Sequence, residues 1–172
     1  VSLATIELLF GTKANLLKAA IDVAIAGDDE PVAMLDRAWA LSAQAATTAA
    51  EFLDLMAAAV ASSQARSAGL VLAVFEGAAR DAELAQLRMQ MSAQRTVMAT
   101  WIVERLTGLA PLRADCLRQE LVDTVWLLMD PAVFDRLARQ RHWSLDQYTT
   151  WLARSAARLL LKDADNGTKE KT

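Results

Sequence analysis

The chain is 172 residues long, 54% hydrophobic and 23% charged, with a net charge of −3. That length suits one domain able to bury a real core, and the composition excludes a disordered or disulfide-stapled chain, since Cys116 is the one cysteine. The acidic balance argues against a self-sufficient nucleic-acid binder, whose surface carries a concentrated basic face.

Residues 1–17, VSLATIELLFGTKANLL, read as the end of one short helix, a tight turn at Gly11 and the start of a second helix capped by Thr12. Lys13 and Lys18 are outnumbered in the first thirty residues by Glu7, Asp22, Asp28, Asp29 and Glu30. Strand-like alternation is missing and helix formers fill nearly every interval, so the expected fold class is all-α. Helices are predicted at 12–26, 31–40, 45–65, 67–78, 82–108, 114–129, 131–140 and 145–162. Pro31, behind Asp29 and Glu30, marks a start where a missing N–H costs nothing. Asp81 caps the long helix at 82–108, and Ser144 with Gln147 makes a capping box for the last one. The longest apolar run, Ala68–Phe75, is broken by Gly69 and falls short of the roughly 18 residues that span a bilayer. No membrane partner is expected, and a lone cysteine fits a reducing, cytoplasmic setting.

The helix at 82–108 carries an apolar stripe of Leu84, Leu87, Met91, Met98, Ile102 and Leu106, with Gln94 and Trp101 on or beside it. The helix at 114–129 is apolar on two faces, and the last helix repeats that with Tyr148, Leu152, Ser155 and Leu159 on one side. A helix apolar on two faces must be covered twice. A two-fold pairing of the last two long helices into a four-helix bundle would do this, centred on Leu121, Leu128, Leu152, Ser155 and Leu159; packing inside a monomer is the alternative.

Two stretches carry a family resemblance. Val1, Ser2, Thr5, Ile6, Phe10, Thr12, Lys13, Leu16 and Leu17 fit the pattern V-S-x-x-T-aliphatic-aromatic-x-x-F-x-S/T-K-x-x-L-L, with Glu7 departing from it. Leu121–Pro131 and Arg141–Leu152 follow L-W-x-L-x-x-P-E and R-G-W-S-x-x-x-Y-x-x-W-L, with His142 standing where the pattern has glycine. In this order the two resemble the TetR family of transcriptional regulators. The resemblance implies a multi-helix bundle of the C-terminal type of that family, preceded by the end of a helix-turn-helix. Residues 1–26 would then be the remnant of the DNA-binding module and its connecting helix, 27–162 the ligand-binding and dimerisation domain, and 163–172 a polar tail. Most of the DNA-binding module would lie outside this sequence, and the acidic remainder would bind DNA poorly. Thr5 and Lys13 match positions that touch DNA phosphates, where a hydroxyl and an ammonium suit the chemistry.

No catalytic constellation emerges. His142 has no partner at triad or metal-ligand spacing, no glycine-rich phosphate loop exists, and no cofactor is expected. The large, soft side chains of the middle suggest an effector cavity bounded by Phe52, Met56, Gln94, Met98, Trp101 and Trp126. Such a cavity would favour a small, largely apolar molecule, with Arg95 the one cation at its margin. The expected function is a ligand-responsive transcriptional regulator, a repressor that binds operator DNA as a homodimer and not an enzyme. The alternative is a helical carrier of hydrophobic molecules, or an interaction domain, that never touches DNA.

Overall fold

Thr12 opens the first long helix as the sequence requires: its hydroxyl accepts a hydrogen bond from the Asn15 N–H at 3.2 Å. The structure, a computed structural model, describes residues 3–162. The side chains at 3, 4, 6 and 7 lie outside that description, as do Val1 and Ser2 of the N-terminal pattern and the tail 163–172. The described residues form helices α1 (Leu3–Phe10), α2 (Lys13–Ala26), α3 (Ala38–Ala45), α4 (Ala49–Gly77), α5 (Ala82–Thr107), α6 (Arg118–Leu128), α7 (Pro131–Phe134) and α8 (Leu145–Leu160). A single 3-10 turn, Met34–Asp36, precedes α3, and α7 widens into a π-helix over Asp135–Gln140. The fold is all-α among these residues.

Local chemistry accounts for most boundaries. Asp81 accepts from the N–H groups of Glu83 and Leu84 at 2.9 and 3.2 Å and so caps α5. Ser144 and Gln147 exchange the two bonds of a capping box ahead of α8. Asp130 accepts from the Ala132 N–H at 2.8 Å, with Pro131 at the first helical position. Gly27 ends α2 at φ 96°, returning its N–H to the Val23 carbonyl at 2.7 Å.

Three expected boundaries are corrected. Residues 31–40 are not one helix: the chain stays irregular to Ala33, because Arg37 turns back to Asp28 and to the Glu30 carbonyl instead of continuing a helical turn. The helices expected at 45–65 and 67–78 are the single helix α4, which starts only at Ala49 behind its cap Thr48. Gly69 does not break it; the glycine makes room, since a Cβ there would stand 2.9 Å from Nη1 of Arg139. The start of α6 shifts from 114 to Arg118, because Arg113 and Asp115 close an ion-paired turn before it.

Helix α4 is central, touching α2, α3, α5, α7 and α8. By length and composition it is the one described helix that could cross a membrane, with a mean hydropathy of 1.3 over its best window. Two cores share it. The larger holds Phe52, Val103, Leu106, Tyr148 and Leu160, all fully buried, between α4, α5, α6 and α8. The smaller joins Ile21 of α2 to Val71 and Val74 of α4 and to Leu84 and Leu87 of α5. Helix α2 therefore does not hang free of the rest: it is packed into a core of its own with the ends of α4 and α5.

The proposed dimer centre divides. Leu121, Leu128 and Leu152 lie on inner stripes of α6 and α8, buried in the larger core, and have no side chain to offer a partner. Ser155 is half-buried, and Leu159 is 45% exposed on the outer stripe of α8 with Trp151. Around the helix 148, 152, 156 and 160 form the buried stripe, and 151, 155 and 159 form the neighbouring stripe that borders it, part-buried or exposed.

His142 has φ 57°, the left-handed region that favours glycine. It closes the turn after the π-helix, where the Trp143 N–H donates to the Leu137 carbonyl at 3.1 Å. Its side chain is exposed. His142→Gly is expected to stabilise the fold by about 0.5–1 kcal/mol, because relief of left-handed strain outweighs the extra entropy of glycine. A thermal melt of the variant checks it; an unchanged or lower midpoint would show that the turn carries no strain.

Candidate functional site

The two cores are joined by α4 and α5 alone, and the space between them is a cleft of about 1090 Å³. That is just above the roughly 300–1,000 Å³ of small-molecule sites. One wall is the middle of α5, where Gln90, Met91, Gln94, Arg95 and Met98 face it. The facing wall is α4, through Met56, Ala59, Val60, Ser63 and Ser67. The C-terminal half of α2 closes one end and the segment 27–37 crosses the mouth, adding Val32, Met34 and Leu35.

Four of the six residues expected around a cavity meet here: Met56, Gln94, Met98 and Trp101. Phe52 does not line the cleft. It is fully buried behind the wall with its ring 5.7 Å from that of Trp101, so it supports the lining without touching an occupant. Trp126 is also behind the wall, under Arg95. The space between α4, α5 and α6, where a cavity was expected, is filled; a void of about 30 Å³ remains there, lined by Leu53, Val125, Leu152 and other apolar side chains. That is room for no ligand.

Sequence reasoning missed Arg37, Arg66 and the whole segment 27–37. The signal was present, since Val32–Leu35 is an apolar run inside an otherwise charged loop. Arg37 is 10% exposed and donates to Asp28 at 2.7 Å and to the Glu30 carbonyl at 3.1 Å, strapping the loop across the mouth. This hydrogen bond holds the Asp28 carboxyl below its usual value. The strap is therefore complete at neutral pH and is lost only as pH falls through that lowered value. Arg66 donates from Nε to the Ala24 carbonyl at 2.8 Å and from Nη2 to that of Ile25 at 3.1 Å. These are orphan acceptors at the end of α2, so Arg66 ties that helix end to α4 beside the cleft.

Arg95 is the charged group of the inner wall, 11% exposed. Its guanidinium lies 3.7 Å over the Trp126 ring, and Nη1 meets Asp130 at 2.9 Å. Its Nε is buried with no hydrogen-bond partner, as is Nε of Arg37. Such an orphaned donor costs about 1–3 kcal/mol. Burial pulls the Arg95 pKa down from its ordinary value, against the opposing pull of Asp130.

Gln64 works as a tie. Its Nε2 donates to the Met129 carbonyl and its Oε1 accepts from the Tyr148 hydroxyl, both at 2.7 Å. Burial pushes the Tyr148 phenol up, so it stays a neutral donor.

Thr5 lies on α1, exposed, and Lys13 opens α2, also exposed. No group of three or more metal-ligating side chains occurs among the described residues. Comparison with known protein families, with curated proteins and with solved structures returns no match.

Proposed function

We propose that the chain is the effector-binding part of a TetR-type transcriptional regulator, a repressor that leaves operator DNA when a small molecule fills the cleft. The observation that carries this reading is the place of α2. It follows the short helix α1 and the Gly11 turn, and its far end closes the cleft and is held there by Arg66. An occupant of the cleft would therefore bear on the helix that leads to the DNA-contacting side chains, Thr5 and Lys13 among them. Such coupling requires the effector to bind the two orientations of α2 with different affinity. The regulator would act in the cytoplasm as a homodimer, paired through the outer stripes of α6 and α8, where Leu127 and Leu159 are exposed.

A helical carrier of apolar molecules is the second reading, favoured by the net charge of −3. Selection from a random duplex pool with the full-length protein separates the two. The regulator is expected to enrich a pseudo-palindrome, with affinity falling steeply as salt rises. An effector is expected to release that DNA from the wild type but not from Met98→Trp, whose indole takes up cleft space. A pool that stays unenriched overturns the regulator and leaves the carrier.

A further inference from the structure

We propose that the cleft takes an amphipathic organic anion, an apolar body with one carboxylate that docks on the Arg95 guanidinium. This rests on the reading of the cleft as a ligand site and names the chemistry of its occupant.

The charges around the cleft are sorted by depth. Its acidic side chains, Asp22, Asp28, Asp29 and Glu30, belong to α2 and the loop at the mouth; those of Asp22 and Asp28 are 52% and 42% exposed, where water and salt screen them. The charged side chain of the inner wall is cationic, Arg95, while Arg37 is a largely buried cation of the loop at the mouth. Arg37 is committed to Asp28 and the Glu30 carbonyl. Arg95 is less fully used: Nε is buried without an acceptor in both residues, but Arg37 engages Nη1 and Nη2, whereas Asp130 meets Arg95 at Nη1. A guanidinium is a fork that can serve two carboxylates, and Asp130 engages it at Nη1, so a second carboxylate docks on the other arm, Nη2.

The guanidinium is also held ready. The Trp126 ring below it and Asp130 beside it fix its plane before any ligand arrives, so little freedom is lost on docking. Asp130 does not fully offset the burial of that charge, as the lowered pKa of Arg95 shows, and a second carboxylate would supply the remainder. Met91 and Met98 flank Arg95 on the same wall, with Val60 and Trp101 also in the lining, so the apolar body has soft surface on both sides of the head group. A dianionic phosphate fits less well, because every other cation of the lining already has a partner in the chain: Lys18 has Asp22, Arg37 has Asp28, and Arg66 has the carbonyls of α2.

Decanoate and decan-1-ol share an alkyl chain and differ in the charged head, so calorimetric titration of both into the same protein tests the assignment. Decanoate is expected to bind at least about tenfold more tightly. Arg95→Gln should remove that preference while leaving decan-1-ol binding unchanged. Asp130→Asn keeps an oxygen to cap α7 and removes the competing carboxylate, so it should tighten decanoate alone. This second variant keeps the test decisive should Arg95→Gln fold poorly. Equal binding of acid and alcohol by the wild type would overturn the head-group assignment and leave the cleft as an apolar ligand site. Binding of neither would overturn the ligand-site reading itself, and the assignment with it.

Discussion

Leu152→Glu is expected to abolish cooperative folding, and Leu159→Glu to leave it intact. The two positions are seven residues, two helical turns, apart on α8; Leu152 is buried and Leu159 sits at the exposed border of the same side. Leu152 is buried against the larger core and borders the small apolar void with Leu53, Ile102 and Leu160. Nothing polar lines that void to receive a carboxylate, so the introduced acid must stay protonated. Raising its pKa by ~3 units to do so costs about 4 kcal/mol at neutral pH. Loss of the leucine's burial adds roughly 1.5–3 kcal/mol. The sum reaches the ~5–15 kcal/mol that holds a whole domain together. Leu159 is already half in water, where a substitution costs within ~0.5 kcal/mol. Circular-dichroism melts of the two variants compare them directly. A Leu152→Glu protein that melts like the wild type would mean that this stripe of α8 does not face the core. Because Leu159→Glu spares the fold, its mass by light scattering reads assembly alone: halved if the outer stripes pair two chains, unchanged if they do not.

Gln64→Leu is expected to cost about 2–5 kcal/mol, far more than its loss of one amide suggests. The substitution strands two buried groups at once, the Met129 carbonyl and the Tyr148 hydroxyl, at ~1–3 kcal/mol each. For a domain of this size that lowers the melting temperature by roughly 4–20 °C. Tyr148→Phe alone should cost less, since it leaves only Gln64 Oε1 short of a donor. The double variant Gln64→Leu/Tyr148→Phe should melt above Gln64→Leu, because removing the hydroxyl removes a group with no partner. A double variant that loses the sum of the two single losses would show that the two side chains act independently. The tie matters for geometry as well as stability, since it joins α4, the end of α6 and α8 in one buried chain of bonds.

How far the sequence was legible depends on whether the decisive contact was local. Thr12, Asp81, Asp130 and the Ser144–Gln147 pair each act within three residues, and each caps its helix as its spacing predicts. The segment 27–37 was misread because its conformation is set by a contact nine residues long, Arg37 to Asp28, which overrides the start signal of Pro31. Gly69 was taken for a break because the guanidinium it admits comes from Arg139, which no periodicity reveals. The α5 wall of the cleft was found because Met91, Gln94 and Met98 share a helical stripe. Phe52 and Trp126 were placed beside them on size, and size does not tell a lining side chain from one that supports the lining. Arg95 looked marginal in sequence; its pairing with Trp126 and Asp130, 31 and 35 positions on, is a product of the fold.

The division into two cores sets an order of opening for the backbone. The smaller core rests on five buried side chains, Ile21, Val71, Val74, Leu84 and Leu87, and α2 is held by it and by the Arg66 bonds. The larger core holds α4 through α8 independently of these contacts. A cooperative unit with so few apolar contacts opens at lower free energy than the whole domain. The amides of α2 should therefore exchange with solvent deuterium well before those around Phe52, Val103 and Tyr148, in a process that leaves the larger core closed. On the proposed reading, such a partial opening would let α2 change direction while the larger core stays folded. The energy separating two directions of α2 would, on the same reading, be set by that handful of side chains, within reach of a single bound molecule.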